Sequence, residues 1–135
     1  MKVLVDTSVW SLALRRRAQR STQHVKELSS LIEDYRLQMI GPIRQEILSG
    51  IRSESQFNSL NKDLSAFIDL PLLTEDYVMA ARFFNLCRSK GIQGSNTDFL
   101  ICAVSVRNEL PIFTTDKDYA LFAKYIPIRL YMPDL

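Results

Sequence analysis

The chain has 135 residues, 47% of them hydrophobic, and a formal net charge of +2. That length suits one compact domain, residues 1–135, and the hydrophobic share excludes global disorder. The near-neutral balance carries no whole-molecule signature of nucleic-acid binding, and no apolar run is long enough to span a membrane.

Val3-Leu4-Val5 is wholly apolar, as in a strand buried on both faces. Thr7 and Ser8 then offer cap chemistry for a helix through about Arg17, and Arg15, Arg16, Arg17 and Arg20 form a basic tract suited to RNA phosphates, to an acidic protein or to solvent. Val25, Leu28, Leu31, Ile32 and Tyr35 recur at helical spacing. His24 is the only histidine, placed at the surface in a polar stretch. Leu37 to Ile40 reads as a second strand, and Gly41-Pro42 opens the helix that carries Glu46. Ser55 to Phe67 reads as a helix, and Ile68 to Leu73 as a strand weakened by Pro71.

Thr74 is the expected N-cap of the next helix, with Gly91 at its C-terminal end. Residues 91–97 form a polar loop. The run Phe99 to Val106 is predicted to be a buried helix capped by Asn96 or Thr97. Ile112 to Thr114 is a strand, Asp116 to Tyr125 a short helix and Ile128 to Tyr131 a last strand. Alternating strands and helices predict an α/β fold, a central parallel sheet flanked by helices. Cys87 and Cys102 lie in apolar stretches without a C-x-x-C or Cys/His cluster, so they read as free buried thiols of a reducing compartment rather than zinc ligands. The start of the chain has no signal-peptide pattern, so a soluble cytoplasmic protein is expected.

Four carboxylates stand in unexpected surroundings. Asp6 ends the first strand, Glu46 shares a helix face with Ile43 and Ile47, Asp98 opens an apolar helix, and Asp116 follows Ile112 to Thr115. Burying a carboxylate costs several kcal/mol, a large part of a domain's stability. A divalent cation is the simplest common neutraliser, and oxygen ligands suit Mg²⁺ or Mn²⁺. In an open parallel sheet ligands bind beyond the carboxyl ends of the strands, where Asp6 and Asp116 both fall. Plainer readings exist for each: Asp6, Asp98 and Asp116 as helix caps or dipole partners, Glu46 as half of a buried ion pair. Thr7, Ser8 and Thr114 are candidate hydroxyls for orienting the carboxylates. Asp118 reads as a solvated helix-start residue and the most plausible fifth acid.

With these residues in hand, the chain resembles the PIN-domain nucleases, and most of all the VapC toxins of type II toxin–antitoxin pairs. Val5-Asp6-Thr7-Ser8-Val9-Trp10 is similar to the family's opening motif, and Glu46 in Arg44-Gln45-Glu46-Ile47-Leu48-Ser49-Gly50 to its helical glutamate. Thr97-Asp98-Phe99-Leu100-Ile101-Cys102-Ala103 and Thr114-Thr115-Asp116-Lys117-Asp118-Tyr119 are similar to the third and fourth acidic motifs. The resemblance spans nearly the whole chain. It implies a three-layer α/β/α PIN-like fold and a Mg²⁺- or Mn²⁺-dependent endoribonuclease with Asp6, Glu46, Asp98 and Asp116 on the metal. It also implies a homodimer and a cognate VapB-like antitoxin. A non-catalytic metal- or RNA-binding module, or an RNA-processing nuclease without an antitoxin, remains the alternative. A dehalogenase-type phosphatase would want an acid where Ser8 stands, and a receiver domain would want paired acids at Asp6.

Overall fold

A computed structural model describes residues 1–14 and 22–133. The arginine tract at 15–20 lies outside the described residues. The chain order is β1 (Val3–Val5), α1 (Thr7–Leu14), α2 (Gln23–Glu33), β2 (Leu37–Gln38), α3 (Gly41–Leu48), α4 (Glu54–Leu64), α5 (Thr74–Ser89), α6 (Asn96–Asn108), β3 (Ile112–Phe113) and α7 (Asp118–Phe122). All strand pairs are parallel, in the order β2-β1-β3, with Val3 opposite Leu37 and Val5 opposite Phe113. Central β1 is buried throughout, which explains why its sequence is unbroken Val-Leu-Val rather than alternating.

Several elements differ from the sequence expectation. The strands expected at Ile68 to Leu73 and Ile128 to Tyr131 each reduce to a single parallel bridge, Met39 to Asp69 and Ile112 to Leu130. Leu70 N–H still donates to the Met39 carbonyl, but Pro71 brings no N–H with which to carry that ladder on. Tyr35 is not on the α2 face. It has φ 56° and is exposed, in the turn where Arg36 N–H returns to the Leu31 carbonyl. The caps shift too. Ser95, not Asn96 or Thr97, caps α6, and Leu73 precedes α5 where Thr74 was expected, its N–H donating to the Asp76 carboxylate. Phe67 lies beyond the end of α4 and meets Trp10 edge to face at 5.8 Å.

The core runs from the sheet through Trp10, Ile43, Leu64 and Phe83 to the apolar body of α6, and takes in Cys87 and Cys102 as free thiols. α5 and α6 pack along each other and are joined by an ion pair. Arg107 donates to both oxygens of Asp76, at 2.5 and 2.9 Å, and Asp76 is 1% exposed. At the loop before α6, a Cβ on Gly94 would sit 2.7 Å from the Phe122 ring and 2.9 Å from Phe99, so that close approach requires glycine. No helix among the described residues is long and apolar enough to cross a membrane.

Candidate active site

Parallel pairing puts the carboxyl ends of β1 and β3 side by side, and the chain leaves both ends into short polar segments. Asp6 N–H donates to the Phe113 carbonyl at 2.8 Å, the last rung between the two strands. The next side chains then interlock. Asp6 Oδ2 accepts from Ser8 Oγ at 2.8 Å and from Thr114 Oγ1 at 2.9 Å. Ser8 Oγ in turn accepts from Thr115 N–H at 3.0 Å, and Thr114 Oγ1 from Asp116 N–H at 2.9 Å. The Ser8 and Thr114 hydroxyls therefore join the β1 exit to the β3 exit.

The same geometry bears out the capping reading and leaves one oxygen of each aspartate outside it. Asp6 Oδ2 also receives Ser8 N–H at 3.4 Å, in the first turn of α1. Asp98 Oδ2 accepts from Ser95 N–H at 3.0 Å in a reciprocal capping box at the start of α6. Asp116 Oδ1 accepts from Asp118 N–H at 2.9 Å ahead of α7. Each aspartate commits one oxygen to a helix start, which fixes its rotamer. Each keeps its second oxygen off the backbone: Asp6 Oδ1 and Asp98 Oδ1 both face the Tyr119 hydroxyl, at 3.5 and 3.3 Å. Helix N-termini add positive potential beside these carboxylates.

Burial corrects the sequence reading of the acids. Of the four, only Asp6 is buried, at 5% exposed; Asp98 and Asp116 are half-buried and Glu46 is exposed. Glu46 follows Ile43 on α3 by three residues, far enough around the helix to reach solvent while Ile43 and Ile47 stay in the core. It is nonetheless tied to the site, because Thr7 Oγ1 donates to Glu46 Oε1 at 2.7 Å. Thr7 is the neighbour of Asp6, so this bond connects α3 to the β1 exit. Asp118 is exposed and contributes its N–H rather than its carboxylate. His24 is half-buried against Phe113, with ring centroids 5.8 Å apart, rather than free at the surface.

The group the sequence reading missed is Tyr119. It is wholly buried, and burial together with the charges of Asp6 and Asp98 pushes its phenol far above the usual tyrosine range. Burial raises the Cys102 thiol as well, reinforced by Asp98 and, more weakly, by Cys87 and Asp6. In both, burial is the larger cause and the nearby carboxylates add to it. Among the described residues no lysine or arginine forms an ion pair with any of the four acids; the ion pairs there are Arg44 with Asp69 and Arg107 with Asp76. Nor, among the described residues, do three acidic, cysteine or histidine side chains converge on one point as a ready metal shell. Asp6 and Asp98 are instead linked through the Tyr119 hydroxyl, and Asp6 is linked to the Asp116 N–H through Thr114 Oγ1. The donor chemistry is oxygen only, with one oxygen of each aspartate outside the backbone bonding, and this fits a hard divalent cation.

Comparison with known proteins identifies the family and the fold. A family model described as PIN domain matches residues 3–125. The chain is 30% identical over 127 residues to a VapC ribonuclease, Mb1587, of Mycobacterium bovis, covering 90% of this chain and 92% of that protein. The same identity and coverage hold for Ribonuclease VapC11 of Mycobacterium tuberculosis. Among solved structures it resembles FitAcB from Neisseria gonorrhoeae with a TM-score of 0.75 at 22% identity, covering 97% of each chain. It also resembles VapBC2 from Rickettsia felis bound to a promoter DNA fragment, with a TM-score of 0.73 at 17% identity, over 99% of this chain and 100% of that one.

Proposed function

This chain belongs to the PIN-domain family, and from that premise we propose that it is an endoribonuclease, the toxin of a VapBC-type pair, which hydrolyses RNA phosphodiester bonds with Mg²⁺ or Mn²⁺. The relatives named as VapC ribonucleases support the reaction class, with the chain spanning nearly their whole length. The observation that carries the mechanism is the division of labour within each aspartate, one oxygen capping a helix and the other left at the site.

Asp6, Asp98, Asp116 and Glu46 would hold the cation. When bound, it would offset the charge of the phosphodiester and make an attacking water more acidic. Ser8 and Thr114 fix the Asp6 carboxylate, and Thr7 fixes Glu46. The chain's own acids supply no cationic group for the phosphate, so without a cation the site repels RNA. A cognate VapB-like antitoxin and a homodimer complete the reading, in the cytoplasm where the RNA is.

The test is cleavage of RNA by the purified protein with Mg²⁺ or Mn²⁺, with and without chelator. Cleavage should need the metal and should disappear in Asp98→Asn while the protein stays folded. Undiminished cleavage in excess chelator, or by Asp98→Asn, would sink the assignment.

A further inference from the structure

Tyr119 stands where three of the acidic segments meet. Its N–H donates to the Asp116 carbonyl at 3.2 Å, and its hydroxyl faces Asp98 Oδ1 at 3.3 Å and Asp6 Oδ1 at 3.5 Å. The side chain is wholly buried, and the Phe122 ring packs against it edge to face at 5.2 Å. A buried phenol needs an acceptor, and these two carboxylates are the acceptors its hydroxyl has. A phenylalanine would fill the same apolar space without that requirement. The hydroxyl is thus explained by the carboxylates rather than by the core. It has one hydrogen for two oxygens, and both distances exceed a normal O–H···O bond, so neither carboxylate is held tightly.

We infer that Tyr119 is a positioning residue whose shared hydroxyl spaces the Asp6 and Asp98 carboxylates for a divalent cation. The inference rests on the cation reading above and goes beyond it by naming what keeps two repelling anions in place before the cation arrives. A neutral donor between them lowers their mutual repulsion, its single hydrogen serving one Oδ1 or the other. Groups that orient ligands in this way typically change metal affinity by 10–100-fold when removed.

The experiment measures Mn²⁺ binding without RNA, by calorimetry or by electron paramagnetic resonance of free Mn²⁺. Tyr119→Phe should keep its circular dichroism and bind Mn²⁺ about 10-fold more weakly, with the metal dependence of RNA cleavage displaced to match and most of the rate regained at saturating Mn²⁺. Tyr131→Phe serves as the control. It also removes a tyrosine–carboxylate bond, to Glu27, which is none of the four acids, and should leave Mn²⁺ affinity unchanged. Equal Mn²⁺ affinity in wild type and Tyr119→Phe overturns the inference alone. No Mn²⁺ binding by the wild type overturns the cation reading and this inference with it. Should Tyr119→Phe fail to fold, wild-type protein labelled at tyrosine Cζ gives the answer by NMR. The Tyr119 signal should move on Mg²⁺ titration, and an unmoved signal with Mg²⁺ bound overturns the inference.

Discussion

Ser8 and Thr114 are the two most connected hydroxyls at the site, with three partners each. Ser8 Oγ donates to Asp6 Oδ2, accepts from Thr115 N–H at 3.0 Å and lies 3.2 Å from Thr114 Oγ1. Ser8→Ala therefore leaves a half-buried N–H without its partner and loosens Asp6. The expected cost is about 1–2 kcal/mol of stability and roughly 10–100-fold in metal affinity or activity, read by denaturant melts beside cleavage assays; unchanged cleavage would show that Asp6 does not depend on it. Glu46 behaves differently because it is exposed. Glu46→Gln keeps the Thr7 acceptor and removes only charge, so stability should change by less than about 0.5 kcal/mol while cleavage falls. Loss of both would make Glu46 structural. The sequence singled out Glu46 by its apolar neighbours on α3. That reasoning identified a residue tied to the site although its premise, burial, was wrong, since helical periodicity puts adjoining positions on faces only 100° apart. Tyr119 escaped the same reasoning because a tyrosine in an apolar pattern reads as core, and only the fold brings its hydroxyl to two distant carboxylates.

The helical elements hold the site by packing, and their joints test differently. The Asp76–Arg107 pair ties α5 to α6, and α6 carries Asp98. Burial alone would raise the Asp76 carboxyl, but the Arg107 guanidinium and the Leu73 N–H outweigh it and hold it below its ordinary value of 3.8. A folded-state value below the unfolded one gives stability that is present above pH about 4 and is lost as pH falls through the folded value. Arg107→Ala should cost about 2–4 kcal/mol at neutral pH, since it strands a buried charge, and the gap from wild type should narrow in melts below pH about 4. A gap independent of pH would mean that lost packing, not charge, is responsible. The parallel α/β pattern was legible because β1, α3 and α6 have strong hydrophobic signatures, whereas the caps at Thr22, Ser53 and Ser95 were not read from the sequence. The edge strands were less so. Ile128 to Tyr131 has the residues of a strand but makes one bridge, because pairing there depends on where β3 ends rather than on local preference. Gly94 read as loop, yet its role is packing against Phe99 and Phe122.

At the scale of the whole molecule, the exposed apolar surface includes a stretch of α5. Phe83 is buried and Phe57 and Phe84 are half-buried, whereas Tyr77, Val78, Met79 and Leu86 of α5 are exposed. The proposed homodimer should appear in sedimentation at micromolar concentration, and a pure monomer there would remove it. The chemical route follows from what the fold assembles. Attack by the RNA 2′-hydroxyl without a metal needs a general base and acid, commonly histidines. The chain has one, His24, stacked on Phe113 and outside the carboxylate network. Tyr119 is no substitute as a base, because its side chain is wholly buried and its hydroxyl faces Asp6 and Asp98. On the proposed reading, water would attack the phosphate in line, and a cation held by Asp6, Asp98, Asp116 and Glu46 would offset charge on the leaving 3′-oxygen. The products should then carry a 5′-phosphate and a 3′-hydroxyl, and a single 2′-deoxy nucleotide at the scissile position should still be cut. A 2′,3′-cyclic phosphate as the main product, or a complete block by that deoxy substitution with binding intact, would show that the 2′-hydroxyl is the nucleophile.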